Sequence, residues 1–394
     1  MLRKLVLPIL FFMTLTSCNK REAESAVVWK TAGALPSPTG KEALGIAGPV
    51  SGFSGNRLLV AGGANFPGQL PWEGGTKRYY DDVYLFDPAQ QDFFTGTLSL
   101  KLPYPVAYAG SATAGDHVFY AGGENEEGIS DRVYSLQWTG TGLVTEALPS
   151  LPAGVTNASL LFYENALYVA GGETADATSD KIWRLSLDQP LSGWQPLPSM
   201  PHPASHAVQV ILRSRGQDYL YIIGGRCKNS NGISTLYKTV YALNLETLEW
   251  RQKESLPYPL AAGSGVAAPG VATPGVDRLN DNALLFGGDK GAIFTRVETL
   301  LAKAARLEGE ARDSVIRQKN RLQATHPGFS REILVYHPDT DEWEIAGEIP
   351  FTVPVTTAAV YREGKIYITS GEIKPGIRTP VILEGTIRLK PDPL

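Results

Sequence analysis

The sequence predicts an all-β protein, a closed six-bladed β-propeller, on three observations. Six apolar strands end in a glycine pair or its near equivalent, a second strand with a central aromatic follows most of them, and a Leu-Pro or Ile-Pro step closes each unit. Composition agrees, since 41 Gly and 28 Pro against 3 Met in 394 residues, with 19% charged, is the punctuation of a turn-rich β protein.

Taken in order, the chain opens with Met1-Leu2-Arg3-Lys4 and the apolar run Leu5 to Leu15, a charged region and a hydrophobic region too short to span a bilayer. An export signal is therefore expected. It ends in Leu15-Thr16-Ser17-Cys18, which resembles the bacterial lipobox, so the resemblance implies a lipidated Cys18 at the mature N-terminus. Residues 1–18 are read as a lipoprotein signal peptide, 19–25 as a short linker and 26–394 as one propeller domain. The expectation is a periplasmic or outer-membrane lipoprotein of a Gram-negative bacterium, touching the membrane only through its anchor. Cys227 would then be the one remaining thiol, which excludes an intrachain disulfide.

The glycine-ended strands are Leu58 to Gly63, Val118 to Gly123, Leu167 to Gly172, Leu220 to Gly225, Leu284 to Gly288 and Ile366 to Gly371. The aromatic-centred strands carry Tyr84, Tyr134, Trp183, Tyr241 and Tyr336, and Trp194, Trp250 and Trp343 open a further strand. The Pro steps are Leu35-Pro36, Leu102-Pro103, Leu148-Pro149, Leu197-Pro198, Leu256-Pro257 and Ile349-Pro350. The first precedes the first glycine pair and none follows Gly371. Ala26 to Lys30 is therefore expected to supply the missing outer strand of the last blade and close the ring, which protects sheet edges.

Two stretches break the spacing. Ala64 to Tyr80 is a long polar and aromatic loop, and the segment from about Phe294 to Gln323 carries Val297, Leu300, Leu301, Ala304, Leu307, Ala311 and Val315 at spacings of three and four. The latter predicts an amphipathic helical insertion in the fifth blade. Both leave just past a glycine pair, hence from one face of the disc, and are expected to wall or cover a pocket.

A repeat of roughly 50 residues with a glycine pair and a later Trp resembles the kelch propellers. That resemblance implies that the residue after each pair points toward the channel mouth, so Ala64, Glu124, Glu173, Arg226, Asp289 and Glu372 are expected to ring it. Asn65 and Lys374 join Arg226, Glu124, Glu173 and Asp289 as candidate substrate-binding residues. A net charge of −4 with no dense basic run excludes nucleic acid as a partner and favours a small molecule. The histidines His117, His202, His206, His326 and His337 form no ligand pattern, since Pro201 and Pro203 break the helix that would align His202 with His206. No metal site is expected, and Cys227 reads as a small packed residue rather than a nucleophile.

After the strand Lys365 to Thr369 comes Gly371-Glu372-Ile373-Lys374-Pro375-Gly376-Ile377-Arg378-Thr379, read as a loop. It is similar to the G-E-x-K-P-G-x-R-T loop of the bacterial N-acetylneuraminate epimerases, the sialic acid mutarotases, here in the last blade as in a cyclically permuted branch of that family. The resemblance implies a cofactor-independent isomerase acting on a sugar acid such as sialic acid. The residue chemistry agrees: anomerisation needs a group that takes a proton from the anomeric hydroxyl and gives one to the ring oxygen, and a sugar acid brings a carboxylate that a guanidinium clamps. Glu372 is assigned as general acid/base and Arg378 as carboxylate anchor, both catalytic. The alternative is a non-catalytic kelch propeller that binds a glycan or protein at the same mouth.

Overall fold

The computed structural model describes residues 27–37, 43–94, 100–269 and 281–388. The signal peptide, Cys18 and the linker lie outside the described residues. Six antiparallel four-stranded sheets form the blades of a propeller, the first joined by a short extra strand at Arg78–Tyr79. Their inner strands are Ala47–Ser54, Gly110–Ala114, Ser159–Tyr163, Val208–Ser214, Ser264–Pro269 and Ala359–Arg362, which define blades 1 to 6. These strands surround a central channel, a cavity of about 440 Å³ lined by Ser111, Ser159, Gln209, Ser264 and Thr357 among others.

Each blade forms because the second strand is apolar on both faces, and the blades stack through those faces. Trp29, Phe286, Ile366 and Leu383 pack blade 5 on blade 6, and Tyr221, Leu285 and Tyr336 pack blade 4 on blade 5. The tryptophans of the outer strands tie neighbouring blades, with Trp194 Nε1 donating to Pro149 O (2.8 Å) and Trp343 Nε1 to Glu254 O (2.9 Å). The glycine pairs allow the close approach this needs. Gly224 has φ +62, and a Cβ there would lie 2.4 Å from the Leu260 carbonyl oxygen.

Blade 6 is built from both ends of the chain. Its outermost strand, Val27–Ala34, runs antiparallel to Ile377–Ile387 with Val27 opposite Ile387 and Trp29 opposite Gly385. The expected closure by an N-terminal strand is what the sheet shows. In this blade Ser370 stands where the others have a first glycine. It is buried with φ +54, and its Oγ lies 2.6 Å from Thr379 O and accepts from Ile46 N–H at 2.9 Å, which offsets the strain.

Two details differ from the sequence reading. The stretch after Thr369 is a β-hairpin rather than a loop: the strands Lys365–Lys374 and Ile377–Ile387 continue past two bulges, and only Pro375 and Gly376 turn. Pro followed by Gly at φ +75 is the pattern of a type II turn, so the ladder has no need to stop earlier. The insertion in blade 5 is two helices, α1 (Ala292–Ala304) and α2 (Gly309–Ala324), broken just before Gly309 at φ +52.

Candidate active site

At the mouth of the channel the six blades present equivalent backbone. The residue after each glycine pair bridges to the segment leading into its own inner strand: Ala64 with Ala47, Glu124 with Ala107, Glu173 with Thr156, Arg226 with Ser205, Asp289 with Ala261 and Glu372 with Val355. The six positions expected at the rim therefore share one backbone placement. One residue further inward, Gly48, Tyr108, Asn157, His206, Ala262 and Thr356 donate N–H groups to one another in a closed ring, each accepting from the next at 2.7–3.1 Å. All six have positive φ, which a tyrosine or a β-branched threonine adopts only where its surroundings impose it.

Glu372 and Arg378 are paired residues of the blade 6 hairpin, directly opposite across the ladder. This places the Glu372 carboxylate 3.0 Å from Arg378 Nη2. The Arg378 side chain is only 4% exposed and the Glu372 side chain 21%, so the pair is recessed but open on the glutamate side. The remaining Arg378 donors Nε and Nη1 are buried with no hydrogen-bond partner among the described residues, and Phe66 of the long blade 1 loop covers the guanidinium at 4.9 Å. That loop also packs Pro71 and Leu70 against the turn, where a Cβ on Gly376 would lie 2.6 Å from Pro71 Cδ.

Burial raises the Glu372 carboxyl above its ordinary range and Asp289 adds to the rise, outweighing Arg378, the Gly376 N–H and Lys77, which favour the charged form. A carboxyl that holds its proton more firmly than usual, beside a guanidinium with donors to spare, can pass a proton and bind an anion in one place.

Glu372 opens into a cavity of about 280 Å³ that spans blades 4 to 6, with Arg226 and His206 at blade 4, Asp289 at blade 5, and Phe294 and Val297 of α1 above. The helical insertion thus walls the pocket, as its point of departure implied. Asp289 Oδ1 accepts from Gly291 N–H at 2.7 Å and so fixes the turn into α1. Glu298 accepts from the N–H and hydroxyl of Ser234 at 2.7 and 2.9 Å, which docks the helix on blade 4.

The other sequence candidates divide. Glu173 stands behind Arg226, 3.3 Å from its Nη2, and accepts from Ser205 Oγ at 2.8 Å. Glu124 holds Lys77 at 3.1 Å and the Tyr79 hydroxyl at 2.8 Å, away from the Glu372 cavity. Asn65 is buried and engaged, its amide donating to Gly45 O at 2.7 Å and accepting from Tyr80 OH at 2.8 Å, so it braces the loop rather than lining the pocket. Burial lowers the His326 pKa from its ordinary value against the pull of Asp289, and nearby Lys374 adds to the lowering. Among the described residues no group of three or more His, Cys, Asp or Glu side chains is placed to hold a metal ion.

Three residues of this site were not singled out in the sequence. Tyr108 lies against Lys77, whose Nζ is 5.1 Å from the ring centre, and adjoins Arg378. His206 is buried beside Arg226, 3.5 Å from Nε2 to Nη2, and both burial and that charge keep its ring neutral well below the ordinary range. Because a guanidinium only donates, Nε2 accepts and the proton sits on Nδ1, toward Ser205 and Glu173. Tyr108 and His206 take equivalent places in the backbone ring between blades. Phe294 was placed in the insertion but not in the site, and it lies against Arg226, 4.8 Å from the guanidinium to the ring centre.

A profile of the N-acetylneuraminate epimerase family matches residues 14–145 and 148–391, nearly the whole chain. This chain belongs to the N-acetylneuraminate epimerase family. Its curated relatives include N-acetylneuraminate epimerases of Yersinia enterocolitica, 29% identical over 197 residues (49% of this chain, 47% of that protein), and Yersinia pestis, 29% identical over 202 residues (50% and 47%). That of Escherichia coli is 28% identical over 165 residues, 42% of each chain. The aligned part spans less than half the length of these relatives.

Proposed function

We propose that this protein is a mutarotase that interconverts the α and β anomers of N-acetylneuraminate or a closely related sialic acid. The observation that carries the reading is the Glu372–Arg378 pair: a carboxyl raised by burial, 3.0 Å from a guanidinium whose other donors are unspent, at the edge of a sugar-sized cavity. Family membership and the names of the relatives support the same substrate class.

In this mechanism the Glu372 carboxylate takes the proton of the anomeric hydroxyl and delivers a proton to the ring oxygen. The bond from the anomeric carbon to the ring oxygen breaks, its electron pair stays on that oxygen, and the hydroxyl becomes a ketone. Rotation presents the other face of the carbonyl, and the same transfers in reverse close the ring. Arg378 holds the substrate carboxylate beside the reacting carbon through its free N–H groups and stabilises charge that develops there. Every proton taken is returned, so the cycle is balanced with no further reagent.

Exchange spectroscopy on the ring methylene protons of the equilibrated sugar tests this. Acceleration by wild type and loss of it in Glu372→Gln is expected. Binding without acceleration by wild type would instead leave a sugar-binding propeller. We further propose that the chain is exported and anchored through Cys18; Cys18→Ser should move the protein from the membrane to the soluble fraction, and an unchanged distribution would contradict the anchor.

A further inference from the structure

The cavity has two chemically different ends. Glu372 marks the blade 6 end. At the blade 4 end stand Arg226 and Leu236, with Asp289 of blade 5 between, and the first turns of α1 close that end with Ile293, Phe294 and Val297. Ile293 and Val297 are four apart on the helix and so share a face.

Arg226 is held on three sides. Nη2 meets Glu173 at 3.3 Å and His206 Nε2 at 3.5 Å, and the Phe294 ring lies 4.8 Å from the guanidinium. Its Nε is buried with no hydrogen-bond partner among the described residues. A buried N–H of this kind costs free energy unless something accepts from it. Glu173 already balances the positive charge, so the unspent donor suits a neutral acceptor rather than a second anion.

A carbonyl oxygen next to a small apolar group matches one N–H beside an apolar wall. We infer that the blade 4 end of the cavity is an acylamide subsite, in which Arg226 Nε–H donates to the acyl carbonyl and Phe294, Val297 and Leu236 cover the acyl methyl. The inference rests on the mutarotase reading for its direction. With the anomeric carbon at Glu372, the acylamido group of a sialic acid lies across the pyranose ring, toward blade 4. The subsite then gives the protein a reason to distinguish N-acyl sugar acids from deaminated ones that carry a hydroxyl at the same carbon.

Titration calorimetry with N-acetylneuraminate and its deaminated hydroxyl analogue tests this without depending on turnover. Wild type is expected to bind the N-acetyl compound at least about tenfold more tightly, the scale of a buried methyl and its hydrogen bond. Phe294→Ala should weaken the N-acetyl compound and leave the analogue unchanged. Arg226→Lys, which keeps the charge beside Glu173 but lacks Nε–H, should do the same. Val297→Ala, a milder change, guards against a folding defect and should narrow the preference in the same direction. Equal affinity of wild type for the two sugars, or equal losses for both in Phe294→Ala, would overturn the subsite. A clear preference in binding with no acceleration of anomer exchange would keep the subsite and remove the mutarotase reading.

Discussion

Glu372 and Arg378 face each other across a two-residue turn, so the hairpin sets their distance and the blade sets their depth. The sign of the glutamate shift has consequences for pH. A carboxyl held above its ordinary value of 4.5 in the folded protein binds its proton more tightly there than in the unfolded chain. Its stabilising contribution is therefore full below about pH 4.5 and is lost as pH rises through the folded value. Glu372→Gln cannot ionise, so its stability relative to wild type should improve between pH 4.5 and neutrality, as read by thermal melts across pH; a gap that does not change with pH would contradict the raised value. For the proposed reaction the same shift is expected to place the rising limb of kcat/KM against pH above the usual carboxylate range. Arg378→Ala should weaken binding of the sugar acid by about 10- to 100-fold, the scale of charge-assisted hydrogen bonds, and a neutral sugar far less; equal losses would argue against a carboxylate anchor. Gly48 tests the inner ring. With φ +63 and a Cβ that would fall 2.4 Å from Tyr108 Cδ1, Gly48→Ala should cost about 1–3 kcal/mol in denaturant unfolding and displace Tyr108 from beside Lys77. Residues in the hairpin were legible because they form one contiguous, chemically loaded motif. Tyr108 and His206 were not, because their place comes from a ring of backbone hydrogen bonds between blades that no local pattern announces.

Three elements bring the site together. The blade 6 hairpin carries the Glu372–Arg378 pair, the loop Ala64 to Tyr80 packs Phe66 and Pro71 on it, and the α1–α2 hairpin walls the opposite side. Legibility varied with how each element is stabilised. The helices were visible from their own spacing, but the break before Gly309 was not, since charged residues continue through it without a change of period. The hairpin was mistaken for a loop because Glu, Lys and Arg are poor strand markers; its ladder is held by register with the apolar strand Lys365 to Thr369. Replacing residues 292–324 with a short flexible linker should leave the propeller folded, because none of the six four-stranded sheets draws a strand from that segment, while sugar affinity falls. Loss of cooperative unfolding in that variant would show instead that the helices belong to the core.

At the scale of the whole molecule, closure of the ring and the Glu372–Arg378 pair share a sheet. The strand Val27–Ala34 completes the same blade that holds Glu372, and Trp29 seals it against Phe286 of blade 5 with ring centres 5.4 Å apart. Trp29→Ala should cost about 3–5 kcal/mol, measured by denaturant unfolding, and weaken sugar binding at a distance from the cavity. Five glycine pairs with Ser370-Gly371 in the sixth place, and six Pro steps, made the blade count readable, and their offset made the closing strand readable, because the repeat is a physical unit that buries its faces only against its neighbours. In a closed ring the starting blade is nearly arbitrary, which is why the Glu372–Arg378 hairpin at the end of the chain still faces a pocket formed by three consecutive blades. The central claim is that this pocket speeds anomer exchange through Glu372. Proton NMR of freshly released α-N-acetylneuraminate measures it directly. The prediction is decay to the equilibrium anomer mixture much faster with wild type than in buffer, and at the buffer rate with Glu372→Gln; decay at the buffer rate with wild type, or equal acceleration by both proteins, would contradict it.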